Sequence, residues 1–357
     1  MDKVRQNIIF IMFSVLPFGF LSFGIIHVGQ HLAFLIAFVA ILASTVKNNW
    51  ITGFFWYLCA WILFICIFRM AYGMPNVVFG DAMNQFIFFS GGLAIYSAIA
   101  NQKTNIQLET YYNIICIAAL IQAGMAISQF FGFDPVIWGL NLFTDARPFL
   151  DPNTMTGTLG NNNFLSAYVA ISLPFFFRKN WFYGIILLVP VLYFGKTTSA
   201  FVPAIIGTTL YFWPKLNNKL KVIVVSLGAV SCVFYAVFQH TPFYLNPRWV
   251  AWSKALGLWF YSPYSVAFGR GPGAGWGESY PMHNEWLQGL YQFGIIGLAL
   301  MCGYVLTACL TTCRKNRILF TAFIIAIINM FGNYSLHLSP SAFLIIIIAG
   351  LIERERI

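Results

Sequence analysis

The sequence predicts an all-α integral membrane protein with about twelve transmembrane helices and one large loop outside the cytoplasm. Hydrophobic residues make up 59% of the 357 positions and charged residues only 8%, whereas soluble domains carry about 25% charged residues. The apolar residues form near-continuous stretches of roughly 15–25 residues, the length that a helix needs to cross about 30 Å of hydrocarbon. They do not alternate with polar residues, as the strands of a membrane β-barrel would. Lipid is therefore expected to be the main solvent of the chain.

The apolar stretches define the predicted spans. They cover 7–26, 31–46, 51–68, 83–100, 111–131, 162–177, 181–195, 200–213, 222–239, 286–312, 318–334 and 341–352. The first stretch is too long for a signal-peptide core and has no small-residue cleavage pattern after it, so we expect it to be retained. The whole chain, 1–357, is thus predicted to be a single polytopic membrane domain.

The placement of positive charge predicts the orientation of these helices. With the N-terminus in the cytoplasm, 14 of the 20 basic residues fall in inner segments, which satisfies the positive-inside rule with both termini cytoplasmic. These 14 are Lys3, Arg5, Lys47, Lys103, Arg178, Lys179, Lys215, Lys219, Lys221, Arg314, Lys315, Arg317, Arg354 and Arg356. The net charge of +10 therefore reports orientation and not nucleic-acid binding. Topology does not explain the other six, which are Arg69, Arg147, Lys196, Arg248, Lys254 and Arg270.

Two outer loops are long enough to fold, a smaller one at 132–161 and a larger one at 240–285. The larger loop is rich in tryptophan and glycine, so we expect it to be packed. Within it, Arg248, Trp252 and Ala255 recur at helical spacing, which predicts a short amphipathic helix lying at the membrane surface. The glycine run over 269–275 cannot be helical; it either lets the backbone approach a ligand closely or turns the chain.

His283 ends the larger loop directly before an apolar helix. A partly desolvated imidazole at this place could accept a proton near neutral pH, although a lone histidine is more often a structural hydrogen-bonding residue. The surrounding pattern is more informative than the histidine alone. Asn284 follows it, and after nine more residues come Gly294, two residues and Gly297.

Three separated patterns resemble the O-antigen ligase and O-antigen polymerase superfamily, which also includes bacterial protein O-oligosaccharyltransferases. The first is the His-Asn pair with its two glycines, and the second is the Arg, Trp and Ala spacing followed by Gly269-Arg270-Gly271-Pro272-Gly273. The third, the segment 157–167, is similar to the family's Gly-Thr-x-Gly-Asn-x-Asn-Phe-x-Ala helix start. One departure stands at Gly195-Lys196-Thr197, where family members often have Ser-Arg-Gly. Lys196 keeps the positive charge but lacks the guanidinium fork.

The resemblance implies a transferase of the bacterial inner membrane that uses an undecaprenyl diphosphate-linked glycan as donor, with its active loop in the periplasm. His283 would be the general base, and the reaction would invert the anomeric configuration. A leaving diphosphate also needs cations, whatever the family. Arg248 is the first candidate for this role, followed by Arg147. For Arg270 and Arg69, a structural salt bridge with Asp81, Asp145, Asp151 or Glu278 is at least an equal alternative. The other predicted substrate-binding residues are Lys196, Asn284 and Asn163, whereas Glu285 could contact sugar hydroxyls or cap the next helix.

No metal or cofactor is expected, because the loops contain no Asp-x-Asp motif and the seven cysteines lack metal-ligand spacing. The predicted partners are the glycan donor, a lipid A core or glycan acceptor, and the bilayer. Within the superfamily, a ligase acting on lipid A core is favoured because the Arg-to-His loop is one compact unit, with a polymerase and a protein O-oligosaccharyltransferase as alternatives. A transporter is the alternative from another class. It would carry ionisable residues within its spans, which are almost free of charge here.

Overall fold

The computed structural model is helical throughout its regular structure, in the part of the chain that it describes. It describes 108–133, 161–195, 197–223, 247–272, 284–332 and 339–356 without interruption, most of 50–64 and 89–101, and residues 155–157, 159, 226 and 274. The all-α prediction is confirmed for these residues. The predicted spans 7–26 and 31–46, and nearly all of 222–239, lie outside them.

The helices follow the predicted spans closely where the two can be compared. In chain order they are α1 within 50–64, α2 within 89–100, α3 Leu108–Phe130, α4 Asn162–Ser172, α5 Ile185–Phe194, α6 Thr198–Phe212, α7 Pro247–Trp259, α8 Pro263–Phe268, α9 Glu285–Lys315, α10 Arg317–Asn329 and α11 Ser339–Arg356. Short 3-10 segments extend α4, precede α5 and follow α6, at Leu173–Phe177, Phe182–Gly184 and Trp213–Lys215. Helical residues also occur over 218–223.

Two of the described helices, α3 and α9, are long and apolar enough to cross a membrane. The helix α5 adds a second observation, because Ile186, Val189 and Tyr193 lie on one face and are 69%, 50% and 67% exposed. Contiguous apolar surface of this kind is unfavourable in water and favourable in lipid. These two features give limited support to the predicted membrane association. The number of about twelve spans stays a prediction.

Two pairs of packed helices run antiparallel, as the predicted order of spans requires. The helix α1 runs antiparallel to α9, since Gly53 lies beside Leu300 and Trp50 lies beside Gly303. In the same way α6 runs antiparallel to α10, because Ser199 lies beside Gly332 at one end and Gly207 lies beside Ile325 further along.

Polar contacts cluster at one end of the bundle, which we call the inner end because it holds residues predicted to be cytoplasmic. Arg178 forms an ion pair with Glu109 and donates to Asn113 Oδ1 at 3.0 Å, which ties the end of α4 to the start of α3. At the same end, the Nδ2 of Asn316 donates to the hydroxyl of Tyr112 at 2.8 Å. The opposite end, the outer end, carries α7, α8 and the beginning of α9.

Candidate functional site

The helix α9 bends sharply at Gly294, which has φ +64° and ψ −167°. This backbone region is essentially reserved for glycine. A Cβ atom on Gly289 would lie 3.2 Å from Met301 Sδ, although twelve residues of straight helix would separate the two by about 18 Å. The helix therefore consists of a short segment, 285–293, and a long segment, 295–315, and only the long segment has a length of about 30 Å. The predicted span 286–312 thus contains a bend that its hydropathy did not indicate.

The glycine-rich loop caps the end of the short segment. Carbonyl groups at the C-terminal end of a helix lack partners within the helix. Here the N–H of Arg270 donates to the carbonyl of Tyr291, and the N–H of Gly271 donates to the carbonyl of Gln292, both at 2.9 Å. Gly269 has φ +81° and ψ −167°, and a Cβ atom there would collide with the Gln292 backbone. Gly269 therefore permits close approach of the loop to the helix backbone, whereas the approach to a ligand considered from the sequence stays a prediction.

Two glutamines fix the other side of this loop. The side-chain amides of Gln288 and Gln292 donate to the carbonyl of Ala274, at 2.9 Å and 3.1 Å. Both glutamines are buried, so these hydrogen bonds satisfy donors that are shielded from water. The glycine loop is thus held along the short segment on both sides, as expected of a packed loop.

The short helix predicted around Arg248 is present as α7, and it packs on the same short segment. Its place at the membrane surface stays a prediction. Its buried Ala255 and Trp259 form one hydrophobic cluster with Tyr291, and Trp252 packs against that cluster. Arg248 lies one helical turn before Trp252, on the same face of α7, and its side chain is exposed. The packing therefore directs the Arg248 face of α7 toward the short segment of α9.

Arg270 is also exposed, and its guanidinium carbon lies 5.7 Å from the centre of the Tyr291 ring, in cation–π range. The acidic residues considered as its salt-bridge partners lie outside the described residues. The loop cation and the aromatic ring of the short segment are therefore adjacent.

Asn284 caps the short segment. Its side-chain Oδ1 accepts a hydrogen bond from the N–H of Leu287 at 3.1 Å, and the residue is 5% exposed. Glu285, the cap considered from the sequence, instead occupies the first helical position, and its N–H donates to the carbonyl of Met330 at 2.8 Å. The backbone that immediately follows His283 is therefore fixed by a side-chain cap and by a contact with the end of α10.

A second cluster brings the Asn-rich helix start against the segment that follows Lys196. The hydroxyl of Thr197 donates to Asn163 Oδ1 at 3.1 Å. Two residues further on, the carbonyl of Ser199 accepts from Asn329 Nδ2 at 2.6 Å. Asn329 ends α10 and precedes Met330, which binds the start of α9. The end of α10 therefore lies between two of the three sequence patterns and contacts both sides.

The start of the third pattern is held by Gln129 of α3. Its Oε1 accepts from the N–H groups of Thr156 and Gly157 at 3.0 Å and 2.8 Å, and its Nε2 donates to the carbonyl of Gly157 at 2.9 Å. Gly157 has φ +56°, and a Cβ atom there would lie 2.6 Å from a side-chain oxygen of Gln122. These two glutamines were not predicted as site residues from the sequence. The available signal was an amide side chain within an apolar helix, which in a membrane needs a polar partner.

An apolar cavity of about 180 Å³ lies against the short segment of α9. Its walls come from α1, α2, α9, α10 and α11, and include Phe54, Leu93, Phe293 and Ile346. Among the described residues that line it, Glu285 is the only charged one. A cavity with such walls suits a hydrocarbon chain better than a sugar or a phosphate.

Four predicted site residues are described and four are not. Arg270 and Asn284 contact the short segment, Arg248 lies on the helix α7 that packs on it, and Asn163 belongs to the neighbouring cluster. Outside the described residues lie Arg69, Arg147, Lys196 and His283, whose roles stay predictions.

In comparisons with known proteins, no protein-family model and no curated protein matches the chain.

The two glycines at the junction of loop and bend give a testable consequence. Gly294→Ala and Gly269→Ala each place a Cβ atom against the backbone of the facing element, and each puts alanine in a conformation that favours glycine. Each should therefore lower the unfolding free energy by at least about 2 kcal/mol. Gly257→Ala in α7 is the matched control, because its Cβ would meet nothing within 4 Å. Thermal unfolding of the purified proteins measures the difference. A Gly294→Ala variant as stable as the control would contradict the close packing of the bend against the glycine loop.

Proposed function

We propose that the protein is a membrane glycosyltransferase of the O-antigen ligase and polymerase type, which transfers a glycan from undecaprenyl diphosphate to an acceptor hydroxyl at the periplasmic face of the bacterial inner membrane. The observation that carries this proposal is the convergence of the three sequence patterns at the outer end. The α7 helix with Arg248, the glycine loop with Arg270 and the residue after His283 all contact the short segment of α9. The Asn-rich start of α4 reaches the same place through Thr197, Asn329 and the end of α10.

The charges of this site suit a diphosphate. Arg248 and Arg270 are exposed guanidinium groups on two elements that share one packing partner, and guanidinium groups bind phosphate oxygens in a bidentate manner. The backbone N–H groups of Arg270 and Gly271 are used by helix carbonyls. At these two positions, recognition of the donor phosphates would therefore depend on side chains and not on the backbone.

The apolar cavity supports a lipid-linked donor. It lies on the side of the short segment that faces the helix bundle, whereas Arg248 and Arg270 are exposed. A molecule with a diphosphate head and an isoprenoid tail could place its tail between α1, α2 and the long segment of α9. Burial of each CH₂ group would contribute about 0.8 kcal/mol.

His283 is assigned as the general base. It would take the proton from the acceptor hydroxyl as that oxygen bonds to the anomeric carbon, while the bond from this carbon to the diphosphate oxygen breaks. The products are the glycosylated acceptor, with inverted configuration, and undecaprenyl diphosphate, whose charge the guanidinium groups stabilise. The cap at Asn284 and the hydrogen bond between Glu285 and Met330 fix the backbone that follows His283.

The acceptor decides between the members of this class, and a ligase for lipid A core is our first choice. Purified protein in nanodiscs should be given undecaprenyl diphosphate-linked glycan with lipid A core, free repeat units or pilin protein in turn. Mass spectrometry of the products should show glycan on lipid A core. Lengthened glycan chains alone would indicate a polymerase, and modified pilin alone a protein O-oligosaccharyltransferase. Transfer to none of them would contradict the proposed function.

The proposal requires the loop between α7 and α8 to face the periplasm. Tyr261 lies at its tip and is 87% exposed, so a Tyr261→Cys variant should react with an impermeant maleimide when only the outer membrane has been made permeable. Asn218→Cys, an exposed position at the opposite, inner end, is the control and should react only after the inner membrane is opened. Labelling is compared with that of the wild-type cysteines. The reverse pattern would overturn the topology.

A further inference from the structure

Tyr57 lies where the glycine loop and the bend of α9 meet. Its hydroxyl is 2.7 Å from the carbonyl of Phe268 and 2.7 Å from the carbonyl of Phe293. These two residues are 211 and 236 positions away along the chain. On the next turn of α1, the indole Nε1 of Trp61 donates to the carbonyl of Phe268 at 3.1 Å. Because the Tyr57 hydroxyl carries one proton, it donates to one of these carbonyls at a time, while Trp61 supplies a second donor to Phe268. The two side chains of α1 thus link the end of α8 to the bend of α9.

Both carbonyl groups need such a donor. Phe268 is the last residue of α8, and Phe293 is the last residue before the bend, so neither carbonyl has the partner that a continuing helix would supply. Gly297 makes room for this arrangement, because a Cβ atom there would collide with the Phe293 side chain and lie 3.3 Å from the Tyr57 ring. Both glycines that follow the His-Asn pair therefore have a place in one junction, Gly294 as the bend and Gly297 as the space beside Tyr57.

We propose that Tyr57, assisted by Trp61, is a positioning residue for the transfer reaction, an inference that rests on the proposed function. Its hydroxyl holds the end of α8 and the bend of α9 together. The next residues of the loop are Gly269 and Arg270, and the short segment that ends at the bend begins immediately after His283. Tyr57 therefore fixes the cation of the loop relative to the segment that follows the general base, and it acts on the reaction through these two elements.

A purely structural role for this hydroxyl makes a different prediction, and the chain offers a control for it. Tyr112 is a buried tyrosine at the inner end, and its hydroxyl accepts one side-chain hydrogen bond from Asn316 Nδ2 at 2.8 Å. Tyr57→Phe and Tyr112→Phe remove the same atom. If the hydroxyl of Tyr57 only stabilises the fold, both variants should lose thermal stability and both should keep the wild-type kcat.

The test compares kcat, donor KM and melting temperature for the wild type, Tyr57→Phe, Trp61→Phe and Tyr112→Phe in nanodiscs. Tyr57→Phe should lower kcat about tenfold at unchanged donor KM, because a small misplacement of reacting groups reduces rate strongly. Trp61→Phe should lower kcat less, since the Tyr57 bridge remains, and Tyr112→Phe should keep the wild-type kcat. Hydrogen exchange adds a direct measurement. The amides of Arg270 and Gly271 should exchange faster in Tyr57→Phe than in either the wild type or Tyr112→Phe.

A wild-type kcat in Tyr57→Phe, or an equal fall in Tyr112→Phe, would overturn the positioning role. A wild-type protein that transfers no glycan would instead refute the proposed function. In that case, unchanged amide exchange at Arg270 and Gly271 in Tyr57→Phe would separately refute the link that Tyr57 makes between the end of α8 and the bend of α9. The two failures are therefore distinguishable.

Discussion

His283→Ala is expected to slow glycan transfer at least roughly a hundredfold, the usual contribution of a positioned general base. The variant should remain folded and should still bind donor, because Asn284 caps the short segment of α9 through its own side chain and Glu285 is tied to Met330 through its backbone. Donor binding, melting temperature and turnover are measured on one preparation. His240→Ala, the other histidine of the larger loop, is the control and should transfer at the wild-type rate.

The pH dependence provides a second measurement of the same assignment. An imidazole with the ordinary pKa near 6.5 loses its free lone pair as the pH falls, so the wild-type rate should decrease below about pH 6.5. The residual activity of His283→Ala should not show that decrease. A stable His283→Ala variant with wild-type turnover would defeat the catalytic assignment and leave His283 a structural residue.

Arg248→Ala is expected to have an effect of similar size. Loss of one charged hydrogen-bonding group from a desolvated phosphate site costs on the order of 3 kcal/mol, about a hundredfold in rate. Arg248→Lys should recover little, because an ammonium group cannot reproduce the two parallel hydrogen bonds of a guanidinium. The side chain of Arg248 is exposed on α7 and the packing of that helix depends on Ala255 and Trp259, so the alanine variant should fold normally.

Lys254→Ala is the matched control for Arg248. Lys254 is an exposed cation on the same helix, but six residues of helical rotation place it on a different face from Arg248. It should therefore transfer glycan at close to the wild-type rate. Near-normal transfer by Arg248→Ala at wild-type expression would remove Arg248 from the site, and equal losses in both variants would indicate a general effect of positive charge.

Most of the described helices could be predicted from the sequence, because long apolar stretches specify helices in lipid through their length alone. The helix α7 could also be predicted, since the spacing of Arg248, Trp252 and Ala255 is local information. The bend at Gly294 could not. A glycine is tolerated within a helix, and here its conformation depends on Gly269, twenty-five residues earlier in the chain, against which it packs.

The candidate site was predicted to a smaller extent, for the same physical reason. Arg248, Arg270 and Asn284 belong to motifs that can be recognised locally, and the elements that carry them pack on one segment of α9. Tyr57, Gln129 and Gln288 were missed because each acts through a hydrogen bond to backbone that is distant along the chain. Local patterns carry no information about such partners. The sequence offered Glu285 as a cap for the helix after the loop. In the structure Asn284 is the cap, because its shorter side chain accepts from the N–H of Leu287.

The central claim is most directly tested by the release of undecaprenyl diphosphate from a glycan-loaded donor. Purified wild-type protein in nanodiscs is incubated with this donor and with lipid A core in the presence of a metal chelator, and the free diphosphate lipid is followed over time. We expect release that requires acceptor, that continues in the chelator, and that is lost in both His283→Ala and Arg248→Ala. A folded wild-type protein that leaves the donor unchanged with every acceptor would contradict the account. Release that is as fast in those two variants as in the wild type would contradict it as well.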